Sequence, residues 1–482
     1  MNILFIASEV ESFVKTGGLA DVAKALPLEL KRAGHDVRII IPGYSAITQR
    51  EQGAIIASGA LATEPQYVDV PYEIRQLYLA DIPLYLVENK HYFERPSLYG
   101  ENNNAYADNG ERFAFFSAAA LHATEQIGFR PDIVHCNDWH TALVPMLLKT
   151  RFARNSFFEQ TKSVISIHNG AFQGVCERGQ LWALPEIRNA HNESIYQGPY
   201  YINFLKCGVL YADKINAVSP TYAKELMSYL GGHGMAKQFQ DRAADICGII
   251  NGCDYNDWDP ATDHLIPAQY HVDDLQGKAE CKRQLQLHAN LPVCDLPMFG
   301  MVCRLTEQKG IHYLLPILAK FLVHHVQVVI VGSGDPILAQ RLEAVARQFP
   351  QKFVFFNAHS NELAHLVEAG SDFFMMPSQF EPCGLNQMYS LAYGTLPIVR
   401  AVGGLKDTVT DYDQNPTQAT GFVFEEPEPH DLLNILRRAL LLYVQDQQEF
   451  RRVQRNAMLT RYLWSDSVHG YEAMYRNALG WQ

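Results

Sequence analysis

Two doubly wound, Rossmann-like α/β domains facing a central cleft are what this sequence predicts, on three observations. From Met298 onward, short apolar strands alternate with helical segments, as a parallel sheet covered on both faces requires. The N-terminal segment to Ile41 reads strand, glycine loop, helix, strand, the unit from which such sheets are wound. Finally, 482 residues exceed what one hydrophobic core usually supports, since domains run to roughly 150 residues. The first domain is expected over residues 1–245 and the second over 246–458, with 459–482 a terminal helix packing back on the first.

Taken in order, Asn2 to Ala7 is an apolar strand, and Leu19 to Ala33 repeats apolar residues at helical spacing up to Gly34. Val37 to Ile41 is the next strand. Tyr67 to Val70, Ile74 to Leu79 and Leu84 to Val87 alternate enough to predict shorter strands, partly antiparallel. His91 to Asn109 is rich in Tyr, Asn and Gly and poor in periodicity, so it reads as a loop suited to sugar faces or as plain surface, with Tyr99 its acceptor-site candidate. A helix is expected over Gly110 to Ile127, and strands over Asp132 to His135 and Ser163 to Ile167. Helix Tyr201 to Tyr211, strand Lys214 to Val218, helix Pro220 to Tyr229, a glycine turn at Gly231 to Gly234 and strand Gly248 to Asn251 follow. In the second domain the strands are Met298 to Val302, Val326 to Val331, Phe353 to Phe356, Phe373 to Met376, Leu396 to Val399 and Gly421 to Phe424.

The composition excludes several classes. A formal charge of −12 argues against general attraction to nucleic acid or anionic membrane, which needs a basic surface. No apolar stretch approaches the roughly 18 residues of a membrane span, and Met1 to Ala7 lacks the basic region of a targeting peptide. Nine cysteines are scattered without a CxxC pair, which argues against a disulfide framework or a structural zinc site and fits a reducing cytoplasm. The acidic loop Asp254, Asn256, Asp257, Asp259 lacks the spacing and closing Glu of an EF-hand.

Chemistry-bearing residues fall where strands end, which is where open α/β sheets keep ligands. Glu381 lies in the turn between strand Phe373 to Met376 and a helical stretch Gly384 to Gly394, either as a ligand for hydroxyl groups or as a plain helix-start carboxylate. In Lys15-Thr16-Gly17-Gly18, the glycines would let N–H groups approach a phosphate with Lys15 adding charge; a tight turn with a surface lysine has the same sequence. Asn137-Asp138-Trp139-His140 and His168-Asn169-Gly170 end two more strands. His168 has a better claim than His140, and Asp138 also suits the cap of a helix beginning near Thr141. Arg304 and Lys309 flank the turn after Val302 and suit a diphosphate, with a solvated basic turn as the alternative.

These motifs resemble a known family. KTGGLADV at 15–22, HNGAFQG at 168–174, INGCDYNDWDP at 250–260, CRLTEQKG at 303–310, PSQFEPCGLNQ at 377–387 and GTLPIVRAVGGLKDTV from Gly394 look like bacterial glycogen synthases, the ADP-glucose-dependent type shared with plant starch synthases. The resemblance runs the whole length. It implies the GT-B fold and retaining transfer of glucose from ADP-glucose to the non-reducing end of glycogen or a maltooligosaccharide, with neither cofactor nor metal. By resemblance, Lys15 and Gly18 lie at the donor phosphates, and Asp21, Asp138, His168 and Asn169 around the glucosyl group. Asn251 lies beside the cleft, Arg304 and Lys309 on the diphosphate, Glu381, Cys383 and Gly384 at the sugar, and Leu385 among the donor-binding residues. His359 stands near the adenine where the family commonly has Tyr, and Tyr389 eight residues after Glu381 where many retaining GT-B enzymes have a second carboxylate. Two rivals share features: a glucan phosphorylase, which needs a lysine holding pyridoxal phosphate, and a catalytically silent glycogen-binding protein.

Overall fold

The structure is a computed structural model that describes residues 1–61, 69–101, 104–181, 184–188, 190 and 193–481. The chain divides into two units. Unit 1 comprises Met1–Val218, Ala223–Asn251 and Trp464–Gln482; unit 2 comprises Ser219–Tyr222 and Gly252–Leu463.

Unit 1 is built on a sheet of β1 (Asn2–Ile6), β2 (Asp36–Pro42), β3 (Ala54–Leu61), β4 (Val70–Leu79), β5 (Ile82–Glu88), β6 (Ile133–Asn137), β7 (Lys162–Ile167), β8 (Lys214–Ala217) and β9 (Ile246–Gly248). Their order is β9-β8-β7-β6-β1-β2-β5-β4-β3. All pairs are parallel except β5 with β4 and β4 with β3, so the alternating stretch after Ala54 is an antiparallel hairpin added to one edge. Tyr67 and Val68 of the expected strand lie outside the described residues. β1 is apolar on both faces because it is central: Ile3 to Ile6 are fully buried. Strands are added in opposite directions from β1 and β6, and this reversal opens a crevice beyond their C-terminal ends.

Unit 2 has β10 (Met298–Val302), β11 (Gln327–Val331), β12 (Phe353–Phe356), β13 (Phe373–Met376), β14 (Leu396–Arg400) and β15 (Phe422–Phe424), all parallel, in the order β12-β11-β10-β13-β14-β15. Its reversal falls between β10 and β13. Each strand lies where its apolar run predicts.

Four expectations need correction. The last strand of unit 1 is Ile246–Gly248, since Ile246 to Gly248 pair with β8; the expected strand Gly248 to Asn251 starts too late, and the unit boundary falls at Asn251, not 245. The expected helix from Tyr201 is divided: Tyr201–Asn203 pair in a small antiparallel sheet, and the helix starts at Phe204 because the Asn203 side chain accepts the Lys206 N–H. Helix Pro220–Leu226 ends before Tyr229. The loop from His91 is not wholly irregular, since Lys90–Phe93 make a helical turn capped by Asn89.

Two chain crossings shape the units. Ser219–Tyr222 belong to unit 2, where the Ser219 hydroxyl donates to the Pro382 carbonyl at 2.6 Å and the Thr221 N–H and hydroxyl donate to Asp407 at 2.7 and 2.6 Å. The terminal helix (Trp464–Leu479) belongs to unit 1, packed on helix Gly18–Arg32 and on β7 and β8. All nine cysteines carry free thiols. Among the described residues no helix is long and apolar enough to cross a membrane.

Candidate active site

In unit 2 the adjacent ends of β10 and β13 deliver opposite charges to one point. Glu381, 6% exposed, accepts hydrogen bonds from the Lys309 ammonium at 2.6 Å and the Ser378 hydroxyl at 2.9 Å. It is not a helix-start cap: the helix that follows is Asn386–Tyr393, entered from Leu385 with no side-chain cap. Nor is Lys309 a solvated cation, since its side chain is 20% exposed and ion-paired. Arg304, from the same turn, is exposed.

Two glycines let backbones close around this pair. Gly310 has φ +72°, and a Cβ there would lie 1.8 Å from the Pro377 carbonyl oxygen; Gly403 has φ +43°, and its Cβ would lie 2.0 Å from the Glu381 carbonyl oxygen. Both obstacles are backbone and cannot rotate away. Gly310→Ala is therefore expected to lower stability by more than the ~1–2 kcal/mol of a left-handed residue alone, which the urea midpoint checks.

The other residues expected in this unit are spread along the same sheet edge. Cys383 is buried, its carbonyl accepting from the Gln387 amide at 3.0 Å, and Gly384 is left-handed at φ +72°. Tyr389 stacks on Trp258 at 3.9 Å, and Trp258 stacks in turn on His365 at 3.7 Å, so the position eight residues after Glu381 serves an aromatic pile. His359 is exposed after β12, the edge strand.

In unit 1 the loop after β1 is organised by Glu9, 4% exposed, which accepts from the Thr16 N–H and hydroxyl, the Gly17 N–H and the Tyr99 hydroxyl. Burial is the largest influence on its carboxyl and raises its pKa. The expectation that Gly17 offers its N–H to a phosphate is thus corrected: that group faces Glu9. Helix Gly18–Arg32 starts one residue on and offers its own first-turn N–H groups. Lys15 is paired with Asp21 at 2.6 Å, and burial raises the Asp21 pKa against the pull of that lysine. Tyr99 is half-buried with its hydroxyl on Ser8 at 2.8 Å, so this hydroxyl holds the loop.

Asp138 does not cap the short helix after it. Its carboxylate accepts the His168 N–H at 2.7 Å and the Asn169 N–H at 3.3 Å, bridging the ends of β6 and β7, while Thr141 accepts the Asn137 N–H. Burial pushes the Asp138 pKa up to about 7 despite these two hydrogen bonds. The His168 Nε2 lies 2.9 Å from the Asn137 side-chain oxygen. The Asn137 amide donates to the Ile6 carbonyl, so its oxygen faces the ring, Nε2 carries the proton and Nδ1 is an acceptor. Burial lowers the His168 pKa to about 3, so the ring is neutral at pH 7. His140, equally depressed, stacks between Trp139 at 4.1 Å and Tyr99 at 4.7 Å. Asn169 accepts the Ala171 N–H at 3.1 Å. Asn251 lies past edge strand β9, buried, its side-chain oxygen without a hydrogen-bond partner among the described residues.

The raised Asp138 pKa has a sign that can be checked. An acid with a folded pKa near 7 and an unfolded value near 3.8 costs the folded state increasing stability as pH rises from about 4 to 7. Asp138→Asn keeps an acceptor oxygen and removes that cost. The urea midpoint of the variant is expected to gain on that of the wild type from pH 5 to 7 and then to run parallel.

Sequence reasoning missed Glu9, Asn137 and Ser378. Asn137 carried a signal as a polar residue closing a mostly apolar strand, and Glu9 as an acid three residues past the buried run of β1, but nothing marked which groups they would hold.

Residues 2–241 match the family described as starch synthase catalytic domain, and residues 286–457 that described as glycosyl transferases group 1. The chain is 63% identical over 479 residues to a glycogen synthase of Aeromonas hydrophila, covering 99% of this chain and 98% of that one. It is 56% identical over 478 residues to a glycogen synthase of Photobacterium profundum, covering 98% and 94%. Among solved structures, the catalytic domain of starch synthase IV from Arabidopsis thaliana, bound to ADP and acarbose, has a TM-score of 0.89 at 31% identity, covering 99% of each chain. Sucrose-phosphate synthase of Thermosynechococcus elongatus shares the fold, with a TM-score of 0.60 at 17% identity and 99% of each chain covered.

Proposed function

The chain belongs to the glycogen synthase family of retaining glycosyltransferases, and from that premise we propose that it extends α-1,4-glucan at the non-reducing end with glucose from ADP-glucose, releasing ADP. The observation that carries the residue assignment is the buried Lys309–Glu381 pair at the strand reversal of unit 2, with Arg304 exposed on the same turn. The bound ADP of the starch synthase relative supports an adenine nucleotide as leaving group.

Breaking the sugar–phosphate bond builds positive charge on the glucosyl ring and negative charge on the departing diphosphate. Arg304 chelates the diphosphate oxygens and Lys309 adds its charge, both gaining strength as the bond breaks. Glu381, already paired with Lys309, accepts sugar hydroxyl hydrogen bonds and supports the cationic ring. Lys15, paired with Asp21, is by family resemblance a donor-phosphate residue. His168, being neutral, receives a glucosyl hydroxyl on Nδ1 with no titration near pH 7, while Asp138 keeps His168 and Asn169 in register. The acceptor hydroxyl attacks from the face on which ADP departs, which gives retention, and passes its proton to the departing phosphate oxygen.

The test supplies ADP-glucose or UDP-glucose with and without glycogen and measures nucleoside diphosphate released. Glycogen-dependent ADP release exceeding UDP release is expected. Glycogen binding without ADP release would establish a silent binding protein. Glucose 1-phosphate formed from glycogen and phosphate, with Schiff-base absorbance, would establish a phosphorylase.

A further inference from the structure

Five fully buried polar side chains in unit 1 form a hydrogen-bonded chain that the mechanism above does not use. The Tyr475 hydroxyl lies 2.7 Å from His135 Nδ1, His135 Nε2 lies 2.7 Å from the Ser166 hydroxyl, and the Asn216 amide donates to Ser166 and to the Tyr471 hydroxyl, both at 3.1 Å. Tyr471 and Tyr475 come from the terminal helix, the other three from β6, β7 and β8. Burial depresses the His135 pKa to about 3, so its ring is a neutral link.

These links lie close to the ends of their strands. His135 lies two residues before Asn137, and Ser166 two residues before His168. The Asn216 side-chain oxygen accepts at 3.1 Å the N–H of Ile249, two residues before Asn251. Residues i and i+2 of a strand share a face, so His135 lies one pleat below Asn137 on β6, Ser166 lies next to the end of β7 before the turn that carries His168, and Asn216 holds the chain just past β9 through Ile249. Two backbone contacts reinforce the layer: the Ser166 carbonyl accepts the Asp138 N–H at 2.9 Å, and Ser467 of the terminal helix donates to the Ile250 carbonyl at 2.7 Å. An apolar face would hold a helix on a sheet just as firmly. A satisfied polar network does something apolar packing does not, which is to allow one register only.

We propose that Tyr471 and Tyr475 are positioning residues for glucosyl transfer, acting through His135, Ser166 and Asn216 to set the strand ends that carry Asn137, Asp138, His168 and Asn251. The inference rests on the reading that those strand ends grip the donor sugar. A misplacement near 1 Å in such a site costs up to about a hundredfold in rate, and deletion of one hydroxyl, which lets the strands relax only partly, should cost about tenfold.

Tyr475→Phe keeps the ring and removes that hydroxyl. Assayed well below its thermal midpoint, it is expected to lose about tenfold in kcat with its KM for ADP-glucose within about twofold of wild type; Tyr471→Phe should move the same way, less far. Tyr270→Phe is the control: its hydroxyl donates to the Tyr393 carbonyl at 2.8 Å in unit 2, so it should lower the midpoint and leave kcat alone. Wild-type kcat in Tyr475→Phe and Tyr471→Phe, with only the midpoint lowered, overturns the proposal. Should Tyr475→Phe not fold, Tyr471→Phe and Ser166→Ala decide it on the same kcat criterion. His168→Ala separates the two levels: full kcat there refutes the site reading itself, whereas its loss beside normal rates in the tyrosine variants refutes only this inference.

Discussion

Arg304→Ala is expected to lower kcat by about 10²–10³-fold, or ~3–4 kcal/mol of transition-state stabilisation, the usual cost of losing one preorganised donor to developing charge. The urea midpoint should not move, because Arg304 is exposed just past β10 and its removal uncovers no buried partner among the described residues. A guanidinium can present two parallel donors to a diphosphate, so on the proposed assignment Arg304→Lys should recover only part of the loss, an ammonium being a point charge on a flexible stem. ADP release under saturating glycogen gives kcat, and the same preparations give the midpoint. A kcat for Arg304→Ala within threefold of wild type would remove the arginine from the assignment.

Lys309→Ala is expected to fail in two ways at once. It deletes a charge from the proposed diphosphate site, and it leaves Glu381 buried with only the Ser378 hydroxyl as partner among its described hydrogen bonds. Stranding one member of a buried pair typically costs ~3–5 kcal/mol, so this variant should unfold at distinctly lower urea. The two losses separate in the double variant Lys309→Met with Glu381→Gln, which removes both charges at similar volume. Its stability should return close to wild type, and its turnover should stay as low as that of the single variant or lower. Recovered turnover would show that neither charge serves the reaction.

The contrast between these cations marks the limit of what the sequence carried. Both were legible as cations after a core strand, and both as diphosphate candidates. That one stands in solvent and the other is clamped by an acid 72 positions later is a tertiary fact, set by β10 and β13 lying side by side, which no local pattern encodes. The sheets themselves were legible because buried parallel strands are short unbroken apolar runs, and Met298 to Val302 or Phe373 to Met376 admit few other readings. Strand ends were less so: β9 stops at Gly248 because β8 runs out of partners, not because of anything in Ile249 to Asn251. Asp138 misled for a similar reason. A helix-cap residue and an acceptor for a neighbouring strand's N–H groups look alike until the neighbour is known.

The short strap Ser219–Tyr222 and the returning helix at the C-terminus have a practical consequence for dissecting the enzyme. A genetic cut after Asn251 is not expected to yield two autonomous pieces. The upstream fragment carries Ser219 and Thr221 with nothing to bind and lacks the segment that seals its floor, while the downstream fragment keeps Asp407 and the Pro382 carbonyl unmet and drags a foreign helix behind it. Complementation between separately produced halves should therefore require co-expression, and circular permutants opened near residue 251 should survive where split ones precipitate.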